Sequence, residues 1–343
     1  MIRTRLLEHN DWQKADDFVK AHPDGTFFHL TGWIQVMQRA FGHACPWIVA
    51  EENGSIVGLL PLTHVKSRLF TTALISNGFS VYGGPLALSN EAHAALDAAV
   101  AELLSSTGAQ YVEYRSRQRT RPDWAAKDET YVTFRKDIDP DADTNMLAIP
   151  RKQRAMVRKA FKFELSYNLS RDVDTFFTLY ATSVRNLGTP VFPKKLFKAL
   201  LDVFEGAVDV LTVQAPDGTP LTSVLSFYYQ NEVLPYYGGG TAAARLYAAN
   251  DYMYWALMDS ARERGCRIFD FGRSKVGTGA YSFKKNWGFE PQPLVYEYLL
   301  ADGETLPDVN PNNPKYRLLV NSWQKLPLPV ANFLGPFISR SLA

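Results

Sequence analysis

The chain has 343 residues, a formal net charge of +2, and 46% hydrophobic and 21% charged residues. These values are ordinary for a globular protein, and they exclude a protein that binds DNA through a strong overall positive charge. The length predicts two domains at roughly 150 residues each. Cys45 and Cys266 lie far apart and outside any CxxC or Cys/His spacing, so neither a disulfide framework nor a metal site is expected.

No stretch of the sequence resembles a targeting or membrane-spanning segment. The start, MIRTRLLEHNDW, lacks an apolar core, and no run of about 18 apolar residues occurs. A cytoplasmic protein without a transmembrane segment is the expectation.

The first half of the chain predicts two helices, a hairpin, a strand, a third helix and a further strand. Apolar residues at helical spacing predict the helices from Asp11 to Ala21 and from Thr31 to Phe41. The hairpin turns at Asn53-Gly54, because Asn-Gly is a strong signal for a two-residue turn. A strand segment, LISNGFSVYGGPLAL, precedes the helix from Asn90 to Ser106, which ends at Gly108 and is followed by the strand YVEYRS.

The second half repeats this order. Helices are predicted from Asp172 to Leu187 and from Pro193 to Phe204, followed by a hairpin at Asp217-Gly218 and the strand EVLPYY. A helix from Asn250 to Arg264 then ends at Gly265 and is followed by the strand RIFDF.

The spacing of these landmarks indicates an internal duplication. The hairpin glycines Gly54 and Gly218 lie 164 residues apart, and the helix-ending glycines Gly108 and Gly265 lie 157 apart. Landmarks in one order at a nearly constant displacement are typical of a repeat. We therefore expect two copies of one α/β unit, each a mixed, mostly antiparallel sheet flanked by helices.

A basic segment lies between the two copies. The acidic sequence RKDIDPDADT predicts a linker, and a basic helix is predicted from Arg151 to Phe163. Its cations, which include Arg154 and Arg158, form either a solvated helix face or a phosphate-binding surface at the junction of the domains. Both interpretations remain open from the residues alone.

The amino-acid composition of the chain changes after residue 300. A loop-like stretch, ADGETLPDVNPNNPKYR, precedes apolar sequence interrupted by prolines and a short amphipathic end. We expect a tail packed across the two domains, with surface contact to a membrane or to a partner as the alternative.

The stretch from Gly265 to Glu290 combines a predicted strand, a glycine-containing loop and a short helix that carries Tyr281, Phe283 and Lys284. Backbone N–H groups and a cation can hold an anionic group in such an arrangement, although a glycine-rich loop after a strand is also typical of an ordinary turn.

Two neighbouring features bear on the same chemistry. The sequence GGGTAAARLYAAND partly matches a phosphate loop that opens a helix, and Arg245 in it could reach a phosphate. Asp270 alternates with apolar residues on a buried strand, so its carboxylate needs a partner, for which Arg273 or Lys275 is predicted.

All six histidines precede residue 94, and no nucleophile–base pair is evident, so direct attack by an acceptor amine is favoured.

The order YYGGG (236–240), helix, glycine, FDFG (269–272), glycine loop and FKKNWGF (283–289) resembles the second domain of the Fem peptidyltransferases. Members of that family have two GNAT-type acyltransferase domains and move an amino acid from aminoacyl-tRNA to an amine of a cell-wall precursor. The stretch IPRKQRAMVRKA is similar to their basic helix. The tail resembles a Fem-like subgroup associated with the exosortase/PEP-CTERM system and exopolysaccharide gene clusters.

The resemblance implies roles for individual residues. Tyr237 falls on the tyrosine of the family's substrate cleft, and Phe283 and Lys284 fall on its Phe-Lys pair, which is implicated in holding the acyl-tRNA end or the reaction intermediate. Gly240 departs from the family's serine, and no long coiled-coil insertion is evident, which leaves acyl-CoA as an alternative donor to aminoacyl-tRNA.

These observations define a predicted site in the second copy. Lys284 is predicted to stabilise the tetrahedral intermediate or the donor phosphate, and Tyr237 and Tyr281 are predicted to relay a proton or orient the acceptor. The predicted donor and substrate contacts are Phe283, Gly238, Gly239, Arg245, Arg273, Lys275, Arg154 and Arg158.

The resulting hypothesis is an α/β protein with two tandem GNAT-like domains, at residues 1–145 and 146–300, and a C-terminal extension at 301–343. It would act as an N-acyltransferase on an amino-sugar or peptide amine in cell-envelope or exopolysaccharide synthesis, at the inner face of the cytoplasmic membrane and without a permanently bound cofactor. The alternative is a non-catalytic binding module in a polysaccharide or exosortase-linked complex.

Overall fold

A computed structural model describes residues 1–67, 71–307 and 314–342. Its strands are β1 (Arg3–Leu6), β2 (Ile48–Glu52), β3 (Ser55–Leu60), β4 (Thr63–Val65), β5 (Ala73–Ser76), β6 (Leu86–Ala87), β7 (Tyr111–Ser116), β8 (Ala125–Lys127), β9 (Tyr131–Asp137), β10 (Ser166–Ser170), β11 (Val208–Gln214), β12 (Pro220–Tyr229), β13 (Glu232–Gly240), β14 (Ile268–Asp270), β15 (Ser274–Lys275), β16 (Pro291–Pro293) and β17 (Val295–Leu300).

The helices of the described residues are α1 (Trp12–Ala21), α2 (Gly32–Phe41), α3 (Asn90–Thr107), α4 (Ala142–Ala148), α5 (Arg151–Phe161), α6 (Val173–Asn186), α7 (Lys194–Val203), α8 (Ala249–Glu263), α9 (Gly279–Asn286), α10 (Pro314–Gln324) and α11 (Leu328–Ser339). Within this part of the chain, each helix is too short or too polar to cross a membrane.

The chain forms two compact units. Within the described residues, unit 1 consists of 1–130, 293–307 and 337–342, and unit 2 consists of 131–292 and 314–336. This division differs from the predicted blocks, because each unit takes a segment from the far side of a predicted boundary.

Unit 1 contains a sheet of order β1-β2-β3-β6 and a sheet of order β4-β5-β7-β17-β8. The hairpin predicted at Asn53-Gly54 is present, and both residues have positive φ (51° and 81°), as a two-residue turn of this kind requires. One face of α3 buries Ala92, Leu96, Val100 and Leu104, four residues apart, in the core beside β2 and β3.

Unit 2 contains one long sheet of order β10-β11-β12-β13-β14-β9-β15, in which β16 also pairs with β9. Its hairpin turns at Asp217-Gly218, as predicted. The apolar face of α8 contributes Met253, Ala256, Leu257 and Ala261 to the core of this unit.

The two units repeat one pairing scheme. In unit 1, β5 runs parallel to β7, and β17 closes the far side of β7 in antiparallel pairing. In unit 2, β13 runs parallel to β14, and β9 closes the far side of β14 in the same manner. The predicted duplication is therefore visible in the sheets, and β9 and β17 are the segments that displace the unit boundaries.

The segment predicted as a linker contains regular structure. It includes the end of β9 and the helix α4, whose N-cap Asp141 accepts a hydrogen bond from the backbone of Thr144 at 2.7 Å. The acidic residues that suggested a linker are thus partly a helix start, a position that favours carboxylates.

The tail, predicted to begin as a loop, is helical at α10 and α11. Gln324 of α10 donates to the carbonyl of Asn186 at 3.1 Å in unit 2, and the ring of His43 contacts the carbonyl of Arg340 at 2.8 Å in unit 1. The loop-like residues at 308–313 lie outside the described residues.

Candidate active site

The parallel strands of unit 2 separate after a short contact. β13 and β14 are paired only at Glu232 with Ile268 and at Val233 with Phe269, whereas β13 continues to Gly240 beside β12. In this fully described part of the chain, β13 has no strand paired on its β14 side beyond Val233. A peptide-like group can pair with such an edge, so the opening between the strands is a natural binding site.

Tyr237 lies on β13 at this opening. Its ring is 7% exposed and is surrounded by aromatic side chains, among them Tyr180 at 6.0 Å, Phe197 at 5.3 Å and Tyr236 at 4.8 Å between ring centroids. The buried hydroxyl has no hydrogen-bond partner among the described residues. Burial raises the pKa of Tyr237 well above its ordinary value, so at neutral pH the hydroxyl is protonated and able to donate.

Lys284 lies on α9, the short helix that follows β15. Its Nζ donates to the carbonyls of Gly272 at 2.9 Å and Arg273 at 3.2 Å, and it lies 5.6 Å from the ring of Phe134 and 5.8 Å from that of Phe271. Desolvation by these surroundings lowers the pKa of Lys284 to about 8. An ammonium has three donors, so one N–H remains for a substrate.

Arg273 connects these two side chains electrostatically. Its exposed guanidinium lies 4.8 Å from the centroid of the Tyr131 ring. Burial dominates the pKa shifts of Tyr237 and Lys284, and the positive charge of Arg273 also lowers the pKa of both. The next residue, Ser274, has a buried hydroxyl without a hydrogen-bond partner in the described residues. The positive charge of Arg273 therefore acts on both Tyr237 and Lys284.

Asp270 is completely buried at the end of β14. Its carboxylate accepts hydrogen bonds from Thr133 Oγ1 at 3.1 Å and from the backbone N–H of Gly272 at 2.8 Å. The carboxylate also forms an ion pair with Arg135 of β9, whose Nε lies 3.3 Å from Asp270 Oδ2. The sequence predicted Arg273 or Lys275 as the partner and missed Arg135, because the strand exchange that places β9 beside β14 leaves no local signal.

The two glycines predicted to contact the donor have different surroundings. A Cβ on Gly239 would lie 2.6 Å from Tyr180 Cα and 2.7 Å from the carbonyl oxygen of Leu179, so Gly239 lets α6 pack closely on β13. Gly238 is exposed, and a Cβ there would have its nearest neighbour at 3.4 Å. Only Gly238 offers its backbone at the surface of the opening.

We expect Gly239→Ala to destabilise the protein by about 1–3 kcal/mol, because the methyl group overlaps helix backbone that cannot move cheaply. Gly238→Ala is the matched control and is expected to change the free energy of unfolding by less than about 1 kcal/mol. Urea denaturation of both variants provides the measurement. Equal losses would contradict the packing role of Gly239.

The remaining predicted residues surround α9 or lie at the surface. The ring of Phe283 is half-buried, 5.6 Å from Tyr254 and 6.3 Å from Trp287, and this packing fixes the orientation of α9. Tyr281 lies half-exposed, with its ring 5.5 Å from Phe134. Lys275 is half-exposed on β15, and Arg245 is exposed in a single 3-10 turn.

The basic helix α5 carries an uncompensated positive surface. Five cations line a depression of about 370 Å³, namely Arg151, Arg154, Arg158, Lys159 and Lys162. Among the described residues, none of the five forms an ion pair with a carboxylate. The opposite face buries Val157 and Ala160 in the core of unit 2, so the helix presents its charges outward from a fixed position.

The chain is similar in sequence and in fold to several known proteins. A family model described as an acetyltransferase (GNAT) domain matches residues 148–285, which lie in unit 2. The lipid II:glycine glycyltransferase of Staphylococcus saprophyticus subsp. saprophyticus is 22% identical over 407 aligned positions, covering 92% of this chain and 95% of the relative. The crystal structure of FemX superposes with a TM-score of 0.67 at 17% identity, covering 93% of this chain and 100% of FemX. The chain is therefore similar to the Fem proteins in sequence and in fold.

The predicted fold class, α/β with two tandem GNAT-like domains, is confirmed. A tandem GNAT protein from the clavulanic acid biosynthesis pathway also shares the fold, with a TM-score of 0.56 at 14% identity, covering 89% of this chain and 100% of that protein. The assignment to the exosortase-associated subgroup stays a prediction.

In unit 1, the corresponding place beside β7 is occupied by the loop between β5 and β6. The loop between β5 and β6 returns to β7, where the N–H of Gly84 donates to the carbonyl of Arg115 at 2.9 Å. The guanidinium of Arg115 donates to the carbonyl of Ser80 at 2.7 Å, and a Cβ on Gly83 would lie 2.3 Å from the backbone nitrogen of Asn77. These contacts pack the segment Tyr82-Gly83-Gly84-Pro85 closely against β7 and the end of β5.

Asp251 places a carboxylate at the start of α8, at the end of the sequence that partly matches a phosphate loop. Its carboxylate lies in the first helical turn and accepts hydrogen bonds from Trp287 Nε1 at 3.3 Å and from the side chain of Gln153. Burial raises the pKa of Asp251. A carboxylate in this place interacts with the positive end of the helix and competes with any bound phosphate. Asp251 was not among the predicted site residues, although an acid in the first turn is a recognisable helix-start signal.

Proposed function

We propose that this Fem-like chain transfers an aminoacyl group from aminoacyl-tRNA to an amine of a cell-envelope precursor, with the reaction in unit 2. The observation that carries the proposal is the opening between β13 and β14, where a buried, protonated tyrosine and a desolvated ammonium share the field of Arg273. Acyl transfer to an amine requires donors of this kind, aimed at the oxyanion and at the leaving group.

The proposed reaction is a direct substitution at the ester carbonyl of the donor. The acceptor amine forms the new C–N bond, the C–O bond to the ribose breaks, and a proton from the amine ends on the ribose oxygen. The free N–H of Lys284 stabilises the oxyanion of the tetrahedral intermediate, and the Tyr237 hydroxyl donates toward the leaving oxygen. Tyr281 orients the acceptor, Phe283 contacts the donor end, and Gly238 pairs with the substrate backbone.

Two observations favour a tRNA donor over acyl-CoA. The cations of α5, Arg154 and Arg158 among them, have no carboxylate partner in the described chain, and a phosphodiester backbone supplies the missing negative charge. Asp251 puts a carboxylate at the start of α8, where a pyrophosphate would need an unoccupied positive helix end. Arg245 and Lys275 supply further positive charge toward the donor.

The acceptor is proposed to be an amine of a precursor at the inner face of the cytoplasmic membrane. Support comes from the relatives, which are named for transferring glycine to lipid II. Whether the amine belongs to a peptide or to an amino sugar, as an exopolysaccharide role would require, is decided by testing acceptors of both kinds.

Binding of tRNA to the α5 surface provides the test. We expect Arg154→Ala combined with Arg158→Ala to weaken binding of aminoacyl-tRNA at least tenfold and to reduce the slope of log Kd against log salt by about 2, one for each lost phosphate contact. Filter binding at several salt concentrations measures both quantities.

Lys195→Ala combined with Lys198→Ala, two exposed cations of α7, serves as the matched control and is expected to leave affinity and slope unchanged. Equal tRNA binding by both double variants would remove α5 from the proposal. Transfer from acyl-CoA but not from aminoacyl-tRNA would refute the proposed donor, and absence of transfer from either would favour the non-catalytic binding module.

A further inference from the structure

The C-terminal tail has a composition unlike the rest of the chain. From residue 309 to the end it contains four cations, Lys315, Arg317, Lys325 and Arg340, and no aspartate or glutamate. The whole chain, by contrast, balances 37 Lys and Arg residues with 35 Asp and Glu residues. The tail is therefore a local region of one charge sign on a nearly neutral protein.

The helix α11 has one buried face and one exposed apolar face. Ala331 and Ser339 are each 1% exposed, and a Cβ on Gly335, between them, would lie 2.7 Å from a side-chain atom of Val191, so this face packs on the protein. The other face exposes large apolar side chains at helical spacing, namely Val330 (41% exposed), Phe333 (69%), Leu334 (39%) and Phe337 (64%). Exposing two phenylalanines one turn apart is costly in water and is typical of a contact surface.

The size and surroundings of this face favour a lipid surface over a second protein chain. The four side chains expose on the order of 400 Å² of apolar area, about half of the roughly 800 Å² that each partner buries in a stable protein interface. A cation lies in sequence on each side of the helix, Lys325 before α11 and Arg340 directly after it, and both side chains are exposed. Apolar side chains between basic residues match an anionic membrane surface, in which the rings enter the lipid and the cations meet the headgroups.

We propose that the face formed by Val330, Phe333, Leu334 and Phe337, which we call the α11 face, docks on a bilayer that contains anionic phospholipid. The proposal rests on the exposed face and its charges, and it adds a membrane partner to the proposed function. A short amphipathic helix binds weakly by itself, so docking is expected to be reversible and to depend on both the apolar and the electrostatic contributions.

Co-sedimentation of the full chain with vesicles tests the docking. Vesicles of phosphatidylglycerol and phosphatidylcholine are expected to bind the protein, and Phe333→Ser combined with Phe337→Ser is expected to reduce the partition coefficient at least tenfold. Leu6→Ser combined with Leu88→Ser is the matched control, because both leucines are exposed apolar residues of unit 1 (52% and 63%), and it is expected to bind as the unaltered protein does. Lys325→Glu combined with Arg340→Glu is expected to weaken binding, and so is replacing the anionic lipid with phosphatidylcholine alone.

Three outcomes would overturn the proposal. The first is no vesicle binding by the unaltered protein, and the second is equal loss in the serine control. The third is a concentration-dependent dimer in analytical ultracentrifugation that Phe333→Ser with Phe337→Ser dissociates, which would make the α11 face a contact between copies of this chain.

A transfer assay with a water-soluble acceptor fragment separates this proposal from the proposed function. Transfer to the soluble fragment without vesicle binding would refute membrane docking and leave the proposed function intact. Vesicle binding through the α11 face without transfer would support docking and refute the proposed function.

Discussion

Lys284→Met is expected to reduce the rate constant for aminoacyl transfer by about 10²–10³-fold while the protein stays folded. The substitution keeps the length and the apolar stem of the side chain but removes the ammonium that donates to the carbonyls of Gly272 and Arg273. Loss of one preorganised donor to an oxyanion typically costs this much. Single-turnover kinetics with aminoacyl-tRNA measure the effect, and Lys285→Met, an exposed neighbour on α9, is the matched control.

The pH dependence separates an electrostatic role of Lys284 from a structural one. Burial lowers the pKa of Lys284 to about 8, so a reaction that needs the ammonium loses rate as the pH rises through 8. That descending limb should be absent in Lys284→Met. A folded Lys284→Met variant with full activity, or with an unchanged descending limb, would remove Lys284 from the mechanism.

The same pKa shift predicts a stability effect of the opposite direction. Because the folded state holds the Lys284 proton less tightly than the unfolded state, the unfolded chain binds more protons between pH 8 and the ordinary lysine pKa of 10.5. The free energy of unfolding of the unaltered protein should therefore rise across this window relative to that of Lys284→Met.

Arg135→Met is expected to have the largest effect on stability, a loss of about 3–5 kcal/mol in the free energy of unfolding. It removes the guanidinium that pairs with the completely buried carboxylate of Asp270, while the desolvation cost of that carboxylate remains. The double variant Arg135→Met with Asp270→Asn should recover much of the loss, because both charges are then absent. Chemical denaturation of the three proteins measures the differences.

A surface ion pair provides the control for this prediction. Arg262→Met removes an arginine that pairs with Asp259 on the exposed side of α8, and such pairs contribute about 0–1 kcal/mol. A loss below 1 kcal/mol in Arg135→Met, or no recovery in the double variant, would contradict the assignment of a stabilising buried pair.

The sequence predicted those parts of the fold that depend on neighbouring residues. Local sequence signals predict the Asn53-Gly54 turn, the glycines that end α3 and α8, and the order of elements in both halves. Turn geometry and helix periodicity involve residues only a few positions apart, so a short stretch of sequence is enough to predict them. The short helix that carries Lys284 was predicted for the same reason.

The features that the sequence did not predict depend on distant segments. Nothing near Asp270 indicates that β9, more than 130 residues earlier, supplies its partner Arg135. The sequence does not indicate whether a glycine makes room for a ligand or for a neighbouring helix. The structure shows that Gly239 packs against α6 and that Gly238 does not. The glycine-rich pattern before α8 favours anion binding, whereas the carboxylate of Asp251 in the first turn of that helix opposes it.

Strand β9 pairs in unit 2 and strand β17 pairs in unit 1, so each lies in sequence beyond the repeat that it completes. This arrangement determines when each sheet can form during synthesis of the chain. The strand that completes the sheet of unit 1 ends at Leu300, so the ribosome must make nearly nine tenths of the 343 residues before the N-terminal sheet can close. If the gene were divided between the two repeats, the first product would lack β17. The second product would contain β17 without the strand β7 with which it pairs. Each unit is completed by a strand from beyond the boundary between the repeats, so both units must be made as one chain.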